Sequence, residues 1–141
     1  MNQPPPHVIS ANTAEESLKE LLRLARYLRS PEGCPWDREQ TTASFAHHLC
    51  GEAEELSEAV EGGDNAHIAE ELGDTLFCTL MTAVVAEDEG RFGLLEALKQ
   101  AYAKMIRRHG HLFGAHTAET PEEVAQVWKR IKADEKAERL R

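Results

Sequence analysis

The sequence predicts an all-α fold for this chain of 141 residues. Five segments repeat apolar residues at the three- and four-residue spacing of amphipathic helices, and none alternates apolar and polar residues like a half-buried strand. Aromatic residues make up only 6% of the chain, whereas Ala, Leu and Glu are abundant, which favours helix. Because a chain of this length can bury one core, we expect a single domain over residues 13–141.

The composition and charge of the chain argue against several classes of function. A net charge of −9 argues against nucleic-acid binding, which needs a basic surface. The most apolar run, residues 72–86, is short for a membrane span and contains Asp74. Cys34, Cys50 and Cys78 form no C-x-x-C motif and are interpreted as free thiols in a reducing compartment. The N-terminus lacks the pattern of a signal peptide, so we expect a cytoplasmic protein without membrane partners.

The first helix is expected after a Pro-rich tail over residues 1–12, which we interpret as disordered. Thr13 and Glu16 have the spacing of a capping box, and Ser30 with Pro31 ends the helix near Arg29. A Pro- and Gly-rich loop is predicted over residues 30–41. Trp36 within it is either a plug over the core or part of a ligand pocket, and the sequence favours neither.

Four more helices are predicted in the rest of the chain. Asp37 is expected to cap a helix over residues 38–61, which Gly62 and Gly63 end. Asp64 caps the next helix, which runs to Asp88 and contains Gly73, where a neighbouring helix or a ligand is expected to come close. A fourth helix covers residues 92–108. Thr120 and Pro121 begin the fifth, because Pro suits the first helical position.

Two acid pairs lie on the second and third predicted helices. Glu52 and Glu55, like Glu71 and Asp74, are three residues apart and therefore share a helix face. Each pair is expected beside a buried stripe, and antiparallel packing would bring four carboxylates together, where a divalent cation would offset their repulsion. Glu70 fits the spacing to Asp74 as well as Glu71 does, and acid pairs are often only solvated. The stripes comprise Leu49, Ala53, Leu56 and Val60 on one helix, and Ile68, Leu72, Thr75 and Thr79 on the other.

Basic residues collect at the end of the fourth predicted helix, at Lys104, Arg107 and Arg108, followed by His109 and His111. Cations at this position stabilise a helix through its dipole. The alternative is a basic wall that binds an anion. The sequence alone leaves both interpretations open.

Several motifs in a fixed order closely resemble the MazG family of all-α nucleoside triphosphate pyrophosphohydrolases. They are CPWDREQT, the E-x-x-E pair, ELGDTLF, RRHGHLFG and WKRIKADEK, and they extend from about residue 18 to residue 136. The resemblance implies a MazG-like helical domain with a four-helix-bundle core, in an oligomer. It further implies hydrolysis of a nucleoside triphosphate to the monophosphate and pyrophosphate.

The resemblance also assigns roles to residues. It places the catalytic metal ligands at Glu52, Glu55, Glu71 and Asp74, and so prefers Glu71 to Glu70. The implied ion is Mg²⁺, with Mn²⁺ as a substitute. Substrate binding is expected from a further set comprising Trp36, Lys104, Arg107, Arg108, Trp128 and Lys132.

The chain departs from the family pattern in three places. Gly51 stands where a Glu usually precedes the first ligand, Gly110 replaces the Pro of a His-Pro-His segment and is expected to loosen the fourth helix, and one copy of the domain is present. House-cleaning of non-standard nucleotides would suit such an enzyme. The rival hypotheses are a phosphoribosyl-ATP pyrophosphohydrolase and a non-catalytic regulatory module that holds metal for stability. The apolar run from Leu76 to Val85 predicts a homodimer or a dimer of dimers.

Overall fold

The computed structural model describes residues 3–141 and confirms the all-α prediction, because these residues contain helices and no strand. Residues 3–12 contain no helix, and residues 1–2 of the predicted tail lie outside the described part. The helices of the described part are α1 (Ala14–Arg29), α2 (Pro35–Glu39), α3 (Thr42–Gly62), α4 (Asn65–Asp88), α5 (Leu94–Arg108), α6 (Gly110–Phe113) and α7 (Pro121–Arg139).

The chain divides into two compact units, which are described separately. The first extends to Leu94 and contains α1 to α4; the second covers residues 95–141, which hold nearly all of α5 together with α6 and α7. The predictions of a single domain over residues 13–141 and of a disordered tail stay predictions. Among residues 3–141 no helix has both the length and the apolar character that crossing a membrane requires.

A helical hairpin of α3 and α4 is the centre of the first unit. Gly63 ends α3 in the left-handed conformation at φ 79°, and the Asp64 carboxylate accepts a hydrogen bond from the Ala66 N–H at 3.1 Å. The turn is so short that the two helices run antiparallel along their length. α1 packs on α4, and α2 packs on α1. The core of this unit comprises Ala25, Phe45, Met81, Val84 and Val85.

The prediction of one helix over residues 38–61 is wrong. The chain forms α2, breaks at Gln40, and begins α3 at Thr42. Thr41 and Ser44 form a reciprocal capping box, in which each side chain accepts from the other residue's N–H. Asp37 therefore lies inside α2, where it is buried, and does not cap α3.

The predicted apolar stripes are also wrong in part. On α3, Phe45 and Ala59 are buried, while Val60 is 55% exposed. On α4 the buried face contains Glu71 itself, whereas its neighbour Leu72 is exposed. The helices are thus rotated so that Glu71 and, in part, Glu52 face inward while several apolar side chains face outward. This follows from packing the core on Met81 and Val85, which lie 10 and 14 residues after Glu71 and therefore near its side of the helix.

In the second unit, α6 packs on α7 around Ile131, the buried residue of α7. The Thr120 hydroxyl accepts from the Glu123 N–H, and Pro121 occupies the first helical position, as predicted. Gly110 is buried, and a Cβ there would lie 2.8 Å from the His116 ring and 3.2 Å from the Ile131 side chain. Gly110 therefore permits close packing, a role that the sequence did not indicate.

Candidate active site

The α3–α4 hairpin brings the predicted carboxylates together in two overlapping groups. Oxygen atoms of Glu52, Glu55 and Glu71 lie within 4.8 Å of one another. Glu70, Glu71 and Asp74 form a second group that meets the same distance. Glu71 belongs to both groups and is therefore the centre of the cluster. The geometry includes Glu70 alongside the four predicted ligands, so distance alone does not separate Glu70 from Glu71.

The cluster has little positive charge to balance it. Among residues 3–141, no Lys or Arg nitrogen lies within 4.0 Å of these five carboxylates, and His67 Nε2 approaches Glu71 Oε1 at 3.3 Å. The Oε2 atoms of Glu52 and Glu71 are buried and accept no hydrogen bond. Burial, followed by repulsion from Glu55, raises the pKa of both Glu52 and Glu71.

These properties fit a divalent cation. Buried carboxylate oxygens without donors lose their hydration and gain nothing in return, unless a cation or a proton offsets the charge. An all-oxygen set of acidic ligands is the kind that Mg²⁺ prefers, and Mg²⁺ commonly keeps water and substrate phosphates as its remaining ligands. Glu52, Glu55, Glu71 and Asp74 would hold it.

Thr75 links the two helices beside the cluster. Its hydroxyl lies 2.8 Å from the Glu71 carbonyl oxygen and 3.3 Å from the Glu52 carbonyl oxygen, so a single polar side chain contacts both ligand-bearing turns. Gly73 was expected to permit a close approach, but beyond its chain neighbours and the adjacent backbone of α4 a Cβ there would meet no atom within 4 Å. The neighbouring-helix explanation is therefore wrong within the chain, and the ligand explanation stays a prediction.

An aromatic cavity of about 290 Å³ adjoins the cluster. Trp36 lies at its edge, 52% exposed, with its ring centroid 5.9 Å from that of Phe45 and 5.4 Å from that of His48. Trp36 is thus not a buried plug, and the structure favours the pocket interpretation. The cavity is lined by Trp36, Asp37, Phe45, His48, Glu52, Asp74, Phe77 and Cys78.

Several lining residues were not predicted from the sequence. Phe45, His48 and Glu52 are spaced three and four residues apart, which places them on one face of α3, and that spacing was a usable signal. Cys78 is buried beside Glu52 and Asp74, and burial followed by these carboxylates raises the pKa of its thiol. The thiol is therefore protonated near neutral pH, in agreement with its expected packing role.

The predicted basic residues lie in the second unit, where two of them are paired. Arg107 Nε donates to Glu135 Oε1 at 2.6 Å, and Arg108 Nη2 donates to Glu135 Oε2 at 3.1 Å. These bonds lower the pKa of Glu135 to about 2. The Arg108 guanidinium also lies 5.7 Å from the Trp128 ring centroid. The structure thus gives Arg108 and Trp128 a packing role within this unit.

Lys104 and Lys132 differ from the two arginines. Both are exposed, and in the described part of the chain neither has a carboxylate oxygen within 4.0 Å. Lys104 lines an open cavity of about 520 Å³ together with Gln100, Arg107 and Arg139. In the described part of the chain, Lys104 and Lys132 are therefore the predicted basic residues that no ion pair occupies.

A helical hairpin that gathers acidic residues around the buried Glu71, beside an aromatic cavity, defines an all-α protein with a candidate metal and ligand site. Residues 40–113 match the family described as "MazG nucleotide pyrophosphohydrolase domain", which is more than half of the chain. The chain belongs to the MazG family. The matched segment includes the four predicted metal ligands and the basic residues of α5, whereas Trp36, Trp128 and Lys132 lie outside it.

Individual relatives agree with this assignment. The chain is 38% identical over 123 residues to a nucleoside triphosphate pyrophosphohydrolase of Escherichia coli K12, covering 86% of this chain and 47% of that protein. It is 41% identical over 113 residues to the uncharacterized protein YabN of Bacillus subtilis, covering 80% of this chain and 23% of YabN. The chain thus spans about half or less of the length of these relatives.

A solved crystal structure aligns with this chain over nearly the whole length of the solved chain. The crystal structure of a mazG-related protein from Thermotoga maritima aligns with a TM-score of 0.69 at 32% sequence identity. The alignment covers 84% of this chain and 98% of that chain. The helical architecture is therefore shared with an experimentally determined structure.

Proposed function

We propose that this chain hydrolyses nucleoside triphosphates to the nucleoside monophosphate and pyrophosphate, in a reaction that depends on Mg²⁺. The observation that carries the proposal is the unneutralised carboxylate cluster, with its two buried oxygens that accept no hydrogen bond, beside the Trp36 cavity. Family membership supports the same activity, because the relatives from Escherichia coli K12 and Thermotoga maritima are named nucleoside triphosphate pyrophosphohydrolases. House-cleaning of non-standard nucleotides is the role that we assign to it.

In this proposal, Glu52, Glu55, Glu71 and Asp74 hold the ion against the substrate. Bound Mg²⁺ would supply positive charge for the triphosphate and the leaving pyrophosphate, and would acidify a bound water. The oxygen of water forms a bond to the α-phosphorus while the bond to the α–β bridging oxygen breaks, and the bridging oxygen leaves with pyrophosphate. The unpaired Oε2 atoms of Glu52 and Glu71 are close to the site and can accept the proton of an attacking water.

The cavity beside the carboxylates suits the base of the nucleotide. Trp36 and His48 present exposed aromatic faces, and base stacking on such a face contributes about 1–3 kcal/mol while tolerating different bases. We therefore assign Trp36 to substrate binding. Lys104 and Lys132 are candidates for contacts with phosphate oxygens because ion pairs do not occupy them.

The test is release of pyrophosphate from a panel of common and modified triphosphates with Mg²⁺, Mn²⁺ or EDTA. We expect turnover with either metal ion, none with EDTA, and none in Glu71→Gln. Phosphoribosyl-ATP belongs in the panel, because its preferential hydrolysis would identify the rival enzyme activity. A protein that binds Mg²⁺ but hydrolyses nothing on the panel would instead be the non-catalytic module.

We propose further that the chain assembles into a homodimer or a dimer of dimers. Val60, Leu72 and Leu76 are 45–55% exposed on the outer faces of α3 and α4, and exposed apolar patches commonly mark protein interfaces. Light scattering at micromolar concentration should give at least twice the chain mass. A monomer mass would contradict the proposal.

A further inference from the structure

Arg29 holds the carbonyl end of α2. It is the last residue of α1, and its side chain is only 10% exposed. Its Nη1 lies 2.7 Å from the carbonyl oxygen of Asp37, and 2.9 Å from those of both Arg38 and Gln40. Its Nε donates to Asp88 Oδ2 at 2.9 Å. One guanidinium therefore connects the ends of α1, α2 and α4.

The Arg29 side chain supplies hydrogen-bond donors to the carbonyl groups at the end of α2. A helix of five residues leaves most of its carbonyl groups without partners inside the helix, and a cation at that end satisfies them. The other end of α2 is fixed by a tight turn, in which the Cys34 N–H donates to the Leu28 carbonyl at 2.9 Å. Gly33 is required there, because a Cβ would lie 2.3 Å from the carbonyl oxygens of Tyr27 and Leu28.

Two residues of α2, Trp36 and Asp37, line the cavity. We propose that Arg29 is a positioning residue for nucleotide binding, which fixes Trp36 and Asp37 at the edge of the cavity without touching the substrate. This inference rests on the proposed function. Arg29 sets how well the base end of the substrate binds, and the carboxylate cluster on α3 and α4 is independent of it.

Loss of Arg29 should displace α2 without unfolding the unit. The core residues Phe45, Met81 and Val85 lie on α3 and α4, and Arg29 is not among them. The turn at Cys34 and the Arg38 Nη1 contact with the Ser30 carbonyl oxygen at 3.3 Å would still hold α2 loosely, as would two contacts of Gln40. Gln40 Nε2 donates to the Trp36 carbonyl at 3.0 Å, and the Ser44 hydroxyl donates to Gln40 Oε1 at 2.8 Å. The exposed Asp88 partner adds little stability in water.

The kinetic test compares Arg29→Met, Arg29→Lys and the control Arg26→Met. Arg26 lies one turn earlier on α1, 54% exposed, with a single ion pair to Glu87 at 3.5 Å. We expect Arg29→Met to raise KM for the best nucleotide about tenfold with kcat within about threefold, the pattern of lost substrate binding. Arg29→Lys keeps the charge at the end of α2 and should limit the rise to about threefold. Arg26→Met should match the wild type.

A fluorescence test reports on Trp36 directly. The chain has two tryptophans, so Trp128→Phe leaves Trp36 as the only one. In that background Arg29→Met should raise the acrylamide quenching constant of Trp36, while Arg26→Met should not. If Arg29→Met fails to give a helical circular dichroism spectrum, Arg29→Lys carries both measurements.

The outcomes separate this inference from the proposed function. Folded Arg29 variants with wild-type KM and wild-type quenching would overturn it, as would an equal KM effect in Arg26→Met. A wild-type protein that releases no pyrophosphate contradicts the proposed function and the kinetic half of the inference. The quenching of Trp36 then still decides whether Arg29 positions it.

Discussion

Glu71 and Glu135 are two glutamates with nearly equal exposure and opposite surroundings. The side chain of Glu71 is 11% exposed, and that of Glu135 is 12% exposed. Glu135 receives hydrogen bonds from two arginines, which lower its pKa to about 2, whereas burial and neighbouring carboxylates raise the pKa of Glu71. The pair shows that burial alone does not indicate a role. A buried carboxylate with its own cations stabilises the fold, and one without them is available to bind a ligand.

The largest expected effect is that of Glu71→Gln. Loss of the carboxylate shared by both groups should lower kcat/KM about 1,000-fold, because a catalytic ion contributes several kcal/mol to transition-state stabilisation. In the absence of metal the same change should raise the melting temperature, since a repulsive buried charge is removed and the new amide can donate to Glu55 or Asp74. Glu135→Gln is the matched control and should lower the melting temperature while retaining activity.

Stabilisation by Mg²⁺ should distinguish Glu71→Gln from Glu135→Gln. At 100 times its Kd, an ion that binds only the folded state adds about 2.7 kcal/mol of stability. Differential scanning fluorimetry should show this gain in the wild type and in Glu135→Gln, but not in Glu71→Gln. An equal gain in all three proteins would place the ion elsewhere.

Lys104→Ala should have the next largest effect. If the exposed, unpaired Lys104 contacts a phosphate, its loss should lower kcat/KM about ten- to a hundredfold with an unchanged melting temperature. Arg108→Ala should instead lower the melting temperature and leave kcat/KM nearly unchanged, because its partners Glu135 and Trp128 lie within its own unit. Steady-state kinetics beside thermal melts, with Arg107→Ala as a third variant, would decide it. Lowered melting points with wild-type kcat/KM in all three variants would exclude a phosphate contact.

The pH dependence of stability should depend on Glu135. Because its folded pKa is depressed to about 2 from 4.5, its contribution is fully present above about pH 4.5 and is lost as the pH falls through 2. Urea denaturation should therefore show a difference between the wild type and Glu135→Gln that is largest near neutral pH and shrinks below pH 4.5. The control is Glu138→Gln, which removes an exposed carboxylate on the same helix. Its stability should follow that of the wild type at every pH. A constant difference across this range would contradict the ion-pair assignment.

The smallest effect is expected from Glu70→Ala. Glu70 groups with Glu71 and Asp74, and Asp74 is exposed as Glu70 is, but Glu70 lies outside the four positions to which the resemblance assigns metal ligands. We expect kcat/KM to fall less than about threefold, since a carboxylate that does not bind the ion acts on the site only through screened electrostatics. If Glu70→Ala proved as damaging as Glu71→Ala, the ligand assignment would be wrong.

Helix ends were predictable because their signals are local. Thr13, Asp64 and Thr120 cap helices where the sequence placed caps, since each side chain bonds to an N–H two or three residues away. The break between α2 and α3 was missed although Thr41 and Ser44 carried a capping signal of the same kind. The helix start was instead assigned to Asp37, which is also a residue type that caps helices.

The orientation of α3 and α4 could not be predicted from hydrophobic spacing. That method assigns the apolar side of a helix to the core, and here Glu71 is buried while Leu72 is exposed. Local patterns are expected to fail where a site must hold charge inside the fold. The pairing of Arg107 and Arg108 with Glu135 spans 28 and 27 residues, and only the tertiary structure brings these side chains together.

Gly51 and Gly73 each precede a candidate ligand, and beyond the adjacent backbone of its own helix a Cβ at either position would meet no atom within 4 Å. In a mutational library selected for folding alone, these two positions should accept side chains of many sizes, whereas Gly33 should accept none. Replacing either glycine with Ala should also favour the helix by about 1 kcal/mol. The two glycines are therefore the points from which protein engineering could add new ligands or reshape the substrate range without disturbing the core.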